Sequence, residues 1–309
     1  MSILNQPYFR DEEAAHSFLE SIVWKDGPVC PHCGVVGHAY RIKANPAKRV
    51  RYGLYKCGAC KRQFTVKIGT VFEHLRMPLH KALQAAYLLC ASKKGISSNQ
   101  LSRSLQISLK AAWFLSHRVR EAMKPTGPLA PIGDAGGFVE VDETYIGRKV
   151  GRQIARGMGH KMAVLSLVER GAGVRSFHIT DFDGKTLSEV LDKNVSRDAH
   201  LRTDDHPMYR SYGYAFASHE SVNHTAGEYV RGEAHTNTIE GYFSVFKRGM
   251  KGIYQHCDEQ HLQRYLAEFD FRYSNRVALN VDDFARTVRA LAGVSGKRLT
   301  YKQGTNLAS

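Results

Sequence analysis

No stretch of about 18 apolar residues occurs in these 309 residues, which excludes a transmembrane helix. The opening MSILNQPYFRDEEAAHSFLE carries acids early and lacks an apolar signal core, so a cytoplasmic protein is expected. Internal repeats are absent. Acids are scarce beside bases: 29 Asp and Glu face 44 Lys and Arg, a net charge of +15. A pI near 9.6 favours polyanion partners, nucleic acid before acidic membrane. Cysteine is limited to six residues, and in a cytoplasmic chain these are not expected to form disulfides. At 43% hydrophobic and 24% charged, the chain is otherwise an ordinary globular one, long enough for two or three domains.

Four of the cysteines fall into two close pairs. CPHCG supplies Cys30 and Cys33, and YKCGACKRQFTV supplies Cys57 and Cys60. Two thiolate knuckles with this spacing form a zinc ribbon, with four sulfurs around one structural ion and no open position. His32, inside the first knuckle, reads as surface rather than ligand. The ribbon is basic, with Arg51, Lys61 and Arg62 as DNA-contact candidates.

Residues 7–24 read as a short amphipathic helix and 79–124 as helical throughout. Within the latter, residues 95–123 have the helix-turn-helix layout. Ser97 or Ser98 caps a first helix carrying Leu101 and Leu105, QIS turns, and Ser108 caps a second helix. Ala111, Ala112, Leu115 and Val119 are expected inward. Lys110, His117, Arg118 and Arg120 are expected exposed, which makes Lys110 and Arg118 DNA-contact candidates. KPTGPLAPIGDAGG (124–137) reads as a linker.

After it come strands at 138–146, 161–169 and 174–180, a helix near 184–195 and a short strand at 200–204. Helices follow at 235–249 and about 258–291. This order implies a mixed α/β sheet. Into the first strand, FVEVDETYIG, are set Glu140, Asp142 and Glu143. Glu140 and Asp142 share one face and Glu143 points to the other. HLRTDDHPMY ends a strand at Asp204 and Asp205. HTNTIEGYFSVFKRG puts Glu240 and Lys247 two turns apart on one helix face. His235, Asn237, Arg248 and Lys251 extend a polar and basic stripe around them. Asp142, Asp204 and Glu240 thus fall on strand one, strand four and a later helix, as an RNase H-like fold collects three carboxylates. Three acids brought together repel unless cations sit between them, and Mg²⁺, with Mn²⁺ as a substitute, suits carboxylate and phosphate oxygens.

These motifs together, with CPHCG, YKCGACKRQFTVKIGTVFE and HLQRYLAEFDFRYSNR, resemble bacterial insertion-sequence DDE transposases of the ISXO type. The likeness spans roughly residues 10 to 280. It implies Asp142 as first catalytic acid, Asp204 as second and Glu240 as third, together holding two Mg²⁺, with Lys247 contacting DNA phosphate. Asp205 competes with Asp204. Asp204 is preferred because it follows Thr203 and lies five residues before Tyr209, as in the family pattern. Asn237 and His235 are site neighbours, Glu140 an outer partner, and Glu143 structural or surface. The implied protein is a nucleoid-associated DNA transposase, working as a homo-oligomer on paired element ends. It would cleave strands and join 3′-hydroxyls. The alternatives are a DNA-binding regulator with an inactive nuclease fold and a nuclease that cuts without joining. The expected domains are an N-terminal helical segment (1–27), the ribbon (28–75), the helix-turn-helix region (76–126), a linker (127–137), the catalytic domain (138–292) and a basic tail (293–309) without structure.

Overall fold

The computed structural model describes residues 3–154 and 156–300. The described residues form two compact units, one from the N-terminus to 92 with 96–124 and the residues from 283 on, the other from 93–95 and 125–282.

In the first unit, α1 (Glu12–Val23) starts at Asp11, whose carboxylate accepts from the Ala14 N–H. Three short strands follow, β1 (Ala39–Ile42), β2 (Leu54–Cys57) and β3 (Gln63–Phe64), paired antiparallel in sequence order. Helices α2 (Leu79–Ala91), α3 (Ser98–Leu105) and α4 (Leu109–Met123) come next. Both expected caps form: Ser97 accepts from Gln100 N–H and Ser108 from Ala111 N–H. Glu12 joins α1 to the start of α2 by accepting from the Leu79 and His80 N–H groups.

The second unit is a three-layer α/β/α arrangement. Its strands are β4 (Phe138–Ile146), β5 (Met162–Glu169), β6 (Val174–Ile179), β7 (His200–Asp204) and β8 (Ser218–Val222). The sheet order is β6-β5-β4-β7-β8. The first three strands pair antiparallel, while β4, β7 and β8 run parallel. This is the mixed sheet expected from the strand order. α5 (Gly184–Asn194) and α6 (Pro207–Gly213) contribute Leu187, Leu191 and Tyr209 to a core with Val139, Val141 and Leu165 on one face. A ribbon of β9 (Val230–Arg231) and β10 (Ala234–His235) leads into α7 (Asn237–Gly249). α7 and α8 (Glu259–Ser274) bury Ile239, Phe243, Phe246 and Leu266 against the other face, with Val164 and Val168. β5 is buried on both faces, which explains its apolar run, broken only by Ser166, whose hydroxyl bonds to that of Ser176.

Three expectations need correction. The helix expected over 258–291 is two: it breaks at 275–282, where Asn280 takes a positive φ of 58°, and α9 (Asp283–Ala292) follows. α9 belongs to the first unit, so the second unit ends at 282, not at the expected 292. The tail is not structureless up to residue 300. Val71 N–H donates to Val294 O, Gly296 N–H to Gly69 O, and Lys297 Nζ to Ala122 O. Backbone pairing, which a polar composition does not announce, holds it. The rest of the expected tail, 301–309, lies outside the described residues.

Candidate active site and metal centre

The ribbon brings four distant sulfurs together. Cys30 Sγ lies 3.7 Å from Cys60 Sγ and Cys33 Sγ lies 3.6 Å from Cys57 Sγ, with all four within 4.8 Å of one another. Four sulfurs at about 2.3 Å from a tetrahedral zinc would be about 3.8 Å apart, so the set fits that ion. The Cys60 N–H points at Cys57 Sγ and helps bring that thiol down to about 6, while Cys33, despite the Val35 N–H, is pushed up to about 11 by desolvation and its neighbouring thiols. His32 is exposed, with its ring near Gln63 O, and stands outside the cluster.

The helix-turn-helix reading holds for the path of the chain and fails for part of its surface. Lys110 is exposed, as are Arg51, Lys61 and Arg62 on the ribbon. His117, Arg118 and Arg120 are buried, contrary to expectation. Arg118 donates to the carbonyls of Val71 and Glu73, and Arg120 to Ser116 Oγ. The C-terminal half of α4 is packed all round, which helical periodicity on one face could not reveal. Arg118 is therefore a packing residue and not a DNA contact.

In the second unit, parallel pairing matches Phe138 with His200 and Glu140 with Arg202. Carried two residues further, that register sets Asp142 level with Asp204 on the neighbouring strand. In a parallel pair, residues at one level face the same way, here toward the α7 layer. Asp142 is pushed up to about 8 by burial and by the charges of Glu143 and Asp204, while the Glu143 N–H and the Lys247 ammonium pull the other way. An acid held this high is one that a cation would discharge. Asp204 accepts from the His206 N–H at 3.1 Å. Asp205 turns elsewhere: it pairs with Arg210 and accepts from Asn223 Nδ2, and Arg210 holds it low. Asp205 is thus engaged by Arg210 and Asn223, while the charge of Asp204 reaches Asp142.

Glu240 and Lys247 both lie on α7, as their spacing implies, but only Lys247 acts on Asp142. Glu240 is half exposed, accepts from Thr236 Oγ1 at 2.9 Å and lies 3.4 Å from His224 Nε2. Among the described residues, no set of three carboxylates converges within ligand reach as the cysteines do. Asn237 is exposed at the first turn of α7. Arg248 bonds back to Ser244, and Arg248 and Lys251 are exposed. Glu143, expected to be structural or surface, is held by the Tyr209 hydroxyl at 2.7 Å and its charge reaches Asp142. The Tyr209 position relative to Asp204 was the only signal of that pairing.

Glu140 is fully buried and ties the strand of acids to the helix of Lys247. It accepts from the Ile239 N–H and Thr238 Oγ1, both at 2.8 Å, at the N-terminal end of α7, where negative charge is favoured. Arg170 neutralises it at 2.7 Å and reaches on to Glu233 and the His235 carbonyl. His235 lies 3.3 Å from Glu140 and so belongs to this anchor. Glu140→Ala leaves the half-buried Arg170 with only the exposed Glu233 as counter-charge and removes the acceptor at the helix start. It is expected to destabilise the protein by about 3 kcal/mol in urea unfolding. A loss below about 1 kcal/mol would contradict the anchoring role.

Residues 134–274 match the family model described as the ISXO2-like transposase domain, and residues 10–63 match that of the transposase zinc-ribbon domain. A protein of Halobacterium salinarum, described as an uncharacterized protein in transposable element ISH50, is 29% identical over 291 residues. The match covers 85% of this chain and 91% of that protein. Its host is archaeal, so this relative does not carry the bacterial setting expected from the sequence. No helix among the described residues is long and apolar enough to cross a membrane.

Proposed function

Since the chain belongs to the ISXO2-like transposases, we propose that it binds the terminal inverted repeats of its own insertion sequence and cleaves and joins DNA strands at Asp142 and Asp204. The carrying observation is the level placement of these two aspartates on adjacent parallel strands, with Lys247 acting on Asp142. The ribbon and the exposed start of α4, including Lys110, supply the reading surface for the element ends. The expected assembly is at least a dimer on paired ends.

Asp142 and Asp204 would hold Mg²⁺, or Mn²⁺ in its place, and Glu240 is the proposed third ligand. Two ions bound there would supply Lewis acidity at the attacking water or 3′-hydroxyl and at the leaving oxygen. Asp142, raised by burial and by Glu143 and Asp204, would release its proton on holding such an ion. Lys247 presents an ammonium to the scissile phosphate from the last turn of α7. Glu140 keeps α7, and so Lys247, at a set height over the strand.

The test is strand transfer in Mg²⁺ with a labelled duplex ending in the element's flanking repeat. Joined product from the wild type supports the reading. Cleavage without joining would favour a nuclease, and specific binding without either would favour a regulator. The third ligand has its own prediction: Glu240→Gln is expected to lower joining by about 100-fold or more, roughly 3 kcal/mol in barrier, with unchanged end binding. If Glu240→Gln joins normally while Glu143→Gln does not, the third ligand is Glu143.

A further inference from the structure

The segment between β4 and β5, residues 147–161 (GRKVGRQIARGMGHK), takes no part in the chemistry above. It contains five cations, Arg148, Lys149, Arg152, Arg156 and Lys161, and no acid. Arg148, Arg152 and Arg156 are exposed. Among the described residues none of the five is in an ion pair. The same unit pairs Arg170, Arg197, Arg202 and Arg210 with carboxylates. Cations that repel one another and are given no internal counter-charge call for an external polyanion.

The base of the segment is built and its tip is open. Lys149 N–H donates to His160 O, and Lys149 Nζ to Thr180 O, so the stem continues the sheet edge. Gly147 has a φ of 57°, the left-handed region, so the turn out of β4 favours glycine. Gly151 and Gly157 also take positive φ, in open space. The stem leaves the C-terminal end of β4. β7, parallel to β4, ends at Asp204 on that same edge. The segment therefore leaves the sheet at the end where β7 stops with Asp204, five residues and about 16 Å along the strand from Asp142.

We propose that residues 147–161 form an arm that grips the phosphate backbone of duplex DNA, irrespective of base sequence, at the sheet edge carrying Asp142 and Asp204. The proposal rests on the DNA-joining reading for its purpose. Exposed arginines on a glycine-bent loop neutralise phosphates, and phosphate contacts position a duplex without reading its sequence. The natural occupant is the target duplex, which must be taken up with little regard to sequence.

The experiment uses full-length protein and a random-sequence duplex, with affinity measured by fluorescence anisotropy from about 50 to 200 mM KCl. Arg148→Gln/Arg152→Gln/Arg156→Gln should lower affinity at least about 10-fold at low salt. It should also reduce the log–log salt slope by about 2 to 3, near 0.9 for each phosphate no longer neutralised. The matching triple Arg→Lys protein keeps the charge and should restore most of the binding, which separates charge from misfolding. Equal slopes and affinities for wild type and the Gln variant, including no binding by either, overturn the arm. So does a shift in oligomeric state by light scattering with DNA binding unchanged, which would mark the arm, with its exposed Val150 and Ile154, as an interface between copies. Strand transfer is assayed separately. A reduced slope in a protein that never joins DNA keeps the arm and removes the transposase reading. Normal joining with an unchanged slope does the reverse.

Discussion

Asp142→Asn is expected to abolish strand transfer while making the metal-free protein more stable above pH 7. The two effects share one cause. Folding raises the Asp142 carboxyl from its ordinary value near 3.8 to about 8, through burial and through Glu143 and Asp204. Between those values the folded state holds a proton that the unfolded state has released, so stability falls as pH rises. Asp270 works in the same direction. It lies on α8, accepts from Tyr242 and Ser176 on the sheet side, and is raised to about 7 by desolvation there. The wild type should therefore lose stability from about pH 5 to pH 8, and the asparagine variant should lose less. At pH 8 the variant should be more stable by about 2 kcal/mol or more, read from urea unfolding. Joining should fall at least about 1,000-fold, near 4 kcal/mol in barrier. Mg²⁺ should raise the melting temperature of the wild type and leave that of the variant unmoved, since a ligand that binds only the folded state stabilises it. A variant that still joins, or one less stable than wild type at pH 8, would remove Asp142 from the metal site.

The second large effect lies in the ribbon. Its core is small: Cys30, Tyr55, Cys57 and Phe64, flanked by Trp24, Ala39, Cys60 and Ile68. Two of the four central side chains are themselves ligands, so apolar burial cannot hold the three short strands alone. Zinc binding at such a site supplies about 10–16 kcal/mol to folding. Purified protein is expected to carry about one zinc per chain by elemental analysis. Cys57→Ser, or a strong chelator, should release it, unfold the ribbon and abolish binding to the element's end sequence. The Tyr55 hydroxyl, which donates to Glu20 of α1, should become exposed at the same time. Retention of end-specific binding after zinc removal would show that the ribbon does not read the ends.

Much of this protein was legible along the chain. The two knuckles, the caps at Ser97 and Ser108, and the limits of β4 and β7 are local patterns. Cysteine spacing, capping hydroxyls and alternation over a few residues are enough to specify them. The shared helix of Glu240 and Lys247 was legible too, since a seven-residue interval on a helix fixes a face, but that only Lys247 acts on Asp142 was not. Other features had no local signature. Arg118 and Arg120 are charged residues on a helix, and only packing on the remaining sides of α4 turned them inward. Glu140 reads as one more acid near Asp142, yet Arg170, thirty positions away, and the N-terminus of α7 make it the anchor of the unit. Glu143 gains its role from Tyr209, and Asp205 loses its role to Arg210. In each case the deciding partner arrives through the sheet register or the return of a distant helix. The sequence by itself therefore determined which chemistry the chain carries: a four-sulfur centre, acids on strand ends and an excess of positive charge. Tertiary structure alone decided which acids meet, because a carboxylate's role depends on its neighbours and burial, and both are set by the packing of segments far apart in the chain.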